Sequence, residues 1–309
     1  MPLNRRTPPQ AEISMRNSGH HAFSLGRIAA ITANTFTELT RLKTFYVLLL
    51  FALLLIGNSI FMAQLTFQQE FQVLKDIALG SMSIFTSLLA VMATARLIPQ
   101  DLEDRTIYTI LAKPVPRFEY LLGKLAGVLL LLALGLIIMS ALFYVVLNIR
   151  EQIVLRETMR QMSAAPPEQM AEALRVVRAS AFDLNLCPGI AIIYLKACLL
   201  ASLTLFVSTF ATTSIFTTLV VAFAYFIGHL QGIAREYWLQ SNSSGWFTRL
   251  FLAVVTLLFP DLQLFNLTDD IVAGAAIPLA LFAKTATLGF FYTGFYLLLA
   301  WTAFYRREL

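Results

Sequence analysis

Charged side chains are scarce in this sequence. They make up 13% of the 309 residues, while apolar side chains make up 58%; ordinary globular chains carry about a quarter charged residues. With a mean hydropathy of +0.72, the chain has too few polar side chains to cover the surface of a water-soluble fold. It is also too apolar for intrinsic disorder. The composition therefore predicts a polytopic membrane protein.

Cysteine, histidine and the common catalytic motifs are also rare or absent. Cys187 and Cys198 are the only cysteines, and Cys198 lies in an apolar run, which excludes a disulfide framework. The three histidines lack metal-ligand spacing, so no metal site is predicted. The chain has no Gly-x-x-x-x-Gly-Lys-Ser/Thr loop for nucleotide and no Gly-x-Ser-x-Gly or His-Glu-x-x-His motif. We therefore assign it no catalytic residue and no bound cofactor.

Long apolar runs dominate what remains. Six of them have the roughly 20 residues that a helix needs to cross about 30 Å of hydrocarbon. The predicted spans are Phe45–Ala63, Ile77–Ala95, Leu125–Leu147, Ile190–Ala211, Thr212–Leu230 and Thr285–Tyr305. Two shorter runs, Phe247–Phe259 and Ile271–Ala283, predict an outer re-entrant hairpin within residues 231–284. The predicted fold is all-α, with a six-span transmembrane domain over residues 45–305.

The basic residues indicate how the spans face. Met1–Thr44, Arg96–Lys124 and the C-terminal residues 306–309 hold thirteen of the 23 Lys and Arg residues. Such segments stay in the cytoplasm under the positive-inside rule. The pattern predicts an inner-membrane protein with both termini cytoplasmic. The net charge of +5 follows this topology, and no nucleic-acid partner is expected.

Two segments outside the spans are predicted to be helical. Residues 24–43, in the cytoplasmic region 1–44, favour an interfacial helix on the inner leaflet, with a soluble helical extension as the alternative. The outer loop 148–189 favours two helices, Arg150–Ser163 and Glu168–Ser180, separated by Pro166 and Pro167. Their interleaved charges are typical of a solvated surface, and a specific docking role is the alternative.

The segment between the second and third spans carries the most information. Asp101, Glu103 and Asp104 suit the positive end of a helix dipole, and Pro114 and Pro116 stop the helix. An apolar stripe lies between them and consists of Leu102, Thr106, Ile107, Ile110 and Leu111. The pattern predicts a short amphipathic helix that docks onto a partner, with a simple interfacial helix as the alternative.

The same segment resembles the signature of ABC-2 type transporter permeases, and most closely the group associated with copper-enzyme maturation. The resemblance rests on the acidic residues and on Thr-x-x-x-x-Leu-Ala-Lys-Pro-x-x-Arg, which begins at Thr106 and ends at Arg117. It implies the membrane subunit of an ATP-binding cassette exporter. It also implies a homodimer of permeases, each held by one of two separate ATPase subunits that bind ATP and Mg.

The resemblance further implies that Gln100–Ala112 is the coupling helix, the element that inserts into the ATPase. Glu103 is then the principal polar contact. The other expected coupling residues are Asp101, Asp104, Arg105, Thr106, Ile107 and Ile110. Arg117 and Lys124 are expected to bind lipid phosphate at the inner surface, or else the ATPase.

Two residues inside the spans could line a transport pathway. Lys196 could line a path for an anionic headgroup, or its long stem could snorkel to the outer surface. Asn58 could line a pore or pack between helices. Two other functions stay open: a membrane scaffold regulated by an ATPase, and an integral membrane enzyme that acts on lipid. The candidate residues of such an enzyme are His229, Glu236, Asp261, Asp269 and Asp270.

Overall fold

The structure is a computed structural model, and it describes most of the chain. The described residues are 23–64, 69–103, 116–163, 166–182, 185–240, 246, 259–272, 274 and 277–306, without the side chains of 64, 233–240, 269 and 270. Nearly all of these residues are helical, and none of them forms a strand. The all-α prediction is confirmed.

The described residues form ten α-helices. In chain order they are α1 Leu25–Thr40, α2 Lys43–Gln64, α3 Glu70–Ala95, α4 Leu97–Glu103, α5 Arg117–Gln161, α6 Pro167–Ala181, α7 Leu186–Phe210, α8 Ser214–Gln240, α9 Thr268–Val272 and α10 Leu279–Arg306, with a short 3₁₀ turn at Leu262–Phe265. Within the described part of the chain, six helices are long and apolar enough to cross a membrane: α2, α3, α5, α7, α8 and α10. Each contains most of one predicted span.

The helices extend beyond the apolar runs that predicted them. The helix α5 continues through the predicted start of the outer loop to Gln161, and its 45 residues correspond to about 67 Å. Pro166 and Pro167 then begin α6, because proline fits the first helical turn but cannot continue a preceding helix. The predicted second limb of the hairpin, Ile271–Ala283, is not one separate element, since α10 begins at Leu279. Most of its first limb lies outside the described residues.

The helix α7 lies at the centre of the bundle. It packs against α3, α5, α8 and α10, so it is buried on nearly every side. Its hydroxyl groups bond to carbonyls of their own helix, as Ser202 does to Leu199 and Thr204 to Leu200. These polar side chains therefore need no partner on a neighbouring helix. By contrast, α2 and α8 carry rows of exposed large apolar side chains, as suits contact with lipid or another membrane helix.

Polar contacts tie the helices together at the end of the bundle where α3 begins. Arg150 of α5 is buried and its Nε lies 3.1 Å from a carboxylate oxygen of Glu70 in α3. Lys75 of α3 donates to the carbonyl of Ser180 in α6 at 2.9 Å. The first contact joins α3 to α5, and the second fixes α6 against α3. We call the other end of the bundle, where α1 packs and α10 finishes, the α1 end.

Candidate functional site

A buried cluster of charges joins α1, α4 and α5 at the α1 end. The Lys124 ammonium of α5 lies 2.7 Å from a carboxylate oxygen of Asp101 in α4 and 3.7 Å from one of Glu38 in α1. The Tyr120 hydroxyl donates a hydrogen bond to the same oxygen of Asp101. Because charges removed from water must be compensated by partners, this cluster specifies how the three helices meet.

A second ion pair fastens the start of α1 to α5. The carboxylate of Glu119 is almost wholly buried, with its oxygens 2.7 and 2.9 Å from Nε and Nη2 of Arg27. It also accepts the backbone N–H of Ser24 at 3.0 Å. The hydrogen bond that Arg27 donates to Glu119, together with the negative charge of that carboxylate, raises the pKa of Arg27 above its ordinary value. This bidentate contact fixes both the position of α1 and its rotation about the helix axis.

Close backbone packing reinforces this contact between α1 and α5. Gly123 and Gly127 lie one turn apart on α5, and a Cβ added at either would stand 2.8 Å from Cβ of Ile31 or 2.7 Å from Cβ of Thr35. The hydroxyl of Thr32 donates to the carbonyl of Gly123 at 3.2 Å. The two glycines let the helix backbones approach as small residues do in membrane helix pairs. The helix α1 is thus packed directly on a span.

The predicted coupling residues divide into three groups. Glu103 ends α4 with its side chain exposed, as a contact with another subunit requires. Asp101 is instead turned inward, where it pairs with Lys124. The remaining five, Asp104, Arg105, Thr106, Ile107 and Ile110, lie outside the described residues.

The two basic residues expected at lipid phosphate make contacts within the protein. Lys124 is 3% exposed, so its ammonium lies inside the protein and not at the lipid surface. Arg117 donates to the carbonyls of Phe304 and Tyr305, at 3.0 and 2.8 Å, in the last turn of α10. A cation at that position suits the negative end of the α10 dipole. Arg117 therefore fastens the start of α5 to the end of α10.

The two candidate pathway residues differ in their surroundings. Asn58 is exposed on the surface of α2. Lys196 is 3% exposed, so its side chain is buried among the helices. Its ammonium lies 3.4 Å from Oγ of Ser83 and 3.3 Å from Nε2 of His229. The structure thus brings together a lysine, a serine and a histidine from three spans.

The candidate residues of a membrane enzyme and the possible metal ligands are only partly described by the structure. Asp261 lies close enough to His229 to interact with it electrostatically, but the side chains of Glu236, Asp269 and Asp270 are outside the described part. His20 and His21 are outside it as well. Among the described residues, no group of three or more His, Cys, Asp and Glu side chains could hold a metal ion.

The chain as a whole matches the family described as ABC-2 family transporter protein, over residues 25–306. The match covers all six membrane-spanning helices and α1, so the chain belongs to this family. It is a multi-pass membrane protein and a membrane permease component of an ATP-binding cassette transporter. Such a component is a transport subunit and is not itself catalytic. Among curated proteins, none matches the chain significantly.

Proposed function

We propose that this chain is the transmembrane subunit of an ATP-driven exporter. Two copies pair in the membrane, and each is driven by a separate ATPase subunit that binds ATP and Mg. The observation that carries the proposal is the position of α4, which leads from a span to the exposed Glu103 within a chain that matches the permease family over residues 25–306. The direction of transport rests on the ABC-2 resemblance.

The buried charges offer a path for force from the ATPase to the spans. Glu103 is the exposed contact at the end of α4, and the residues that follow it complete the docking surface. Asp101, only two positions earlier, is ion-paired with Lys124 of the span α5. A displacement of α4 by the ATPase would therefore pull on α5, and through Glu38 on α1. Asp101 and Lys124 act in this scheme as positioning residues.

We place the α1 end in the cytoplasm of a cell with an inner membrane. Arg96, Arg117 and Arg306 all lie at this end, as expected of the side that retains basic residues. The ATPase is then on the side where ATP is made. The exposed apolar faces of α2 and α8 are available to lipid and to the second permease copy.

The proposal is tested by purifying the tagged chain from its native membrane in mild detergent, with stoichiometry measured by mass spectrometry. The parent chain is expected to recover a near-equimolar ATPase, and Glu103→Arg to lose it, because a charge reversal at the contact repels the partner. Glu157→Arg is the matched control, since Glu157 is also exposed but lies near the last turn of α5, away from the α1 end. It is expected to retain the ATPase.

The outcomes separate the competing functions. No nucleotide-binding partner in several detergents would overturn the permease proposal and favour the membrane enzyme. An ATPase that is recovered, but that drives no substrate across sealed vesicles, would favour the regulated scaffold. Loss of the partner in both glutamate variants would mean that Glu103 is not the specific contact.

A further inference from the structure

A polar cluster lies deep among the spans, away from the charges of the α1 end. It consists of Lys196 on α7, Ser83 on α3, and Tyr225 and His229 on α8. The Lys196 ammonium stands 5.4 Å from the centre of the Tyr225 ring, so it is also held by a cation–π contact. An ionisable side chain inside a membrane is costly, which makes it a candidate for function.

The cluster lies inside the helix bundle. Lys196 comes ten residues after the first residue of the 25-residue α7, or about 15 Å along the helix. Its partner His229 comes three residues before Gly232, where the apolar part of α8 ends. Because Lys196 is 3% exposed, its charge must be balanced by contacts within the bundle.

The described side chains that contact the Lys196 ammonium include no acid. Nδ1 of His229 lies 3.0 Å from the carbonyl of Tyr225, so a proton on Nδ1 leaves Nε2 free to accept from Lys196. The ammonium has three N–H groups, and Ser83 and His229 receive two of them. Within the described part of the chain, no carboxylate forms an ion pair with Lys196.

Asp261 is the described acid that interacts electrostatically with His229 of the cluster. Its Oδ1 accepts the backbone N–H of Gln263 at 3.0 Å, which holds it at the 3₁₀ turn. It forms no ion pair with the ammonium. The positive charge of Lys196 therefore has no carboxylate partner among the described residues, and it suits a bound anion.

Three members of the cluster are partly exposed. They are Ser83 of α3 and Tyr225 and His229 of α8, while Lys196 is buried. The same two helices enclose an open cavity of about 430 Å³ nearer the α1 end. Its lining is Met92, Arg96, Ser214, Ile215, Thr218, Leu219 and Ala222. The cavity and the partly exposed members of the cluster thus lie on the same pair of helices.

The cavity has a cation of its own. Arg96 is exposed in its lining, thirteen residues from Ser83 along the helical segment that contains α3, or about 20 Å. No residue within the described ranges forms an ion pair with Arg96. An anionic group could therefore meet either cation, and the apolar part of the cavity lining could hold its tail.

We infer that Lys196, with Ser83 and His229, binds the phosphate or carboxylate headgroup of an anionic amphiphile that the protein transports. This inference rests on the proposed transport function and adds a substrate class to it. Burial distinguishes such a substrate from ordinary bilayer lipid, because a headgroup that reaches the ammonium of Lys196 must enter the helix bundle, where this residue is 3% exposed.

Binding of radiolabelled dodecyl phosphate to the purified full-length chain tests the inference. The detergent is dodecyl maltoside, whose tail has the same length but whose headgroup is neutral. Lys196→Met is expected to raise the Kd about tenfold or more, because a hydrogen bond between opposite charges is lost. Lys284→Met is the matched control, since Lys284 is exposed on α10, and its Kd is expected to equal that of the parent.

A second measurement needs no variant. A dodecyl phosphate that carries a diazirine beside the phosphate is crosslinked to the parent chain and mapped by mass spectrometry. Crosslinks are expected in the peptides that contain Ser83, Lys196 or His229. Crosslinks confined to other regions, or equal Kd values for the parent and Lys196→Met, would overturn the site.

Two further outcomes bear on the substrate class. If inorganic phosphate competes as well as unlabelled dodecyl phosphate, the site takes a soluble anion and the amphiphile is wrong. If the parent chain binds no dodecyl phosphate but still copurifies with an ATPase, the anionic substrate is wrong and the permease proposal stands. If binding is localised to Lys196 but no ATPase is found, the site stands and ATP-driven transport does not.

Discussion

The ammonium of Lys124 lies 2.7 Å from the carboxylate of Asp101, although the two residues belong to different helices. Both side chains are largely buried, at 4% and 11% exposed. The contact ties α4, the element proposed to meet the ATPase, to the span α5. Removing one member of such a pair leaves an uncompensated charge inside the protein, which makes the pair accessible to experiment.

Lys124→Met is expected to destabilise the protein by about 3–5 kcal/mol, because the Asp101 carboxylate loses its counter-ion. Asp101→Asn is expected to cost less, since the Lys124 ammonium keeps Glu38 at 3.7 Å. Thermal unfolding in detergent, followed by fluorescence, measures both. The double variant Asp101→Asn with Lys124→Met removes both charges and is expected to melt above Lys124→Met alone. Equal melting of Lys124→Met and the parent would mean that the pair has no structural role.

Gly127→Ala is expected to loosen α1 from α5. The added methyl group would stand 2.7 Å from Cβ of Thr35, which is backbone-linked and cannot move away on its own. Overpacking of this kind costs about 1–3 kcal/mol. Thermal unfolding reports the loss. Gly80→Ala is the matched control, because a Cβ there meets nothing within 4 Å and alanine favours a helix; it is expected to leave the melting temperature unchanged or higher.

Arg117→Ala is expected to free the last turn of α10, since its guanidinium donates to the carbonyls of Phe304 and Tyr305. Hydrogen exchange should speed up in that turn and not at the start of α10. Arg117→Lys is expected to restore little, because an ammonium lacks the planar fork and the stacking on both rings. Arg156→Ala, an exposed arginine on α5, is the control. Unchanged exchange in Arg117→Ala would contradict the anchoring role.

The spans could be predicted from the sequence because an apolar run of about 20 residues has the length and composition of a membrane-spanning helix. It also located the break at Pro166 and Pro167, where the missing N–H and the ring end a helix. It did not find the pairing of Lys124 with Asp101. Hydropathy shows how much charge a segment carries, but it does not show which way each side chain points.

The partners of Lys196 could not be predicted from the sequence either. The apolar run shows that this residue lies inside a span, and the structure adds that it is 3% exposed. Its partners Ser83 and His229 come from other spans and share no sequence pattern with it. Their meeting depends on how the helices pack, which sequence periodicity does not specify.

The two cysteines provide a test of orientation that needs no new residue. Cys187 is exposed near the start of α7, while Cys198 is buried in its interior. In sealed right-side-out vesicles, a membrane-impermeant maleimide is expected to label Cys187 and leave Cys198 unmodified, because α7 begins at the end opposite the proposed cytoplasmic side. Cys187→Ser should abolish the labelling. Modification of Cys187 only in inverted vesicles would contradict the proposed topology and, with it, a cytoplasmic position for Glu103.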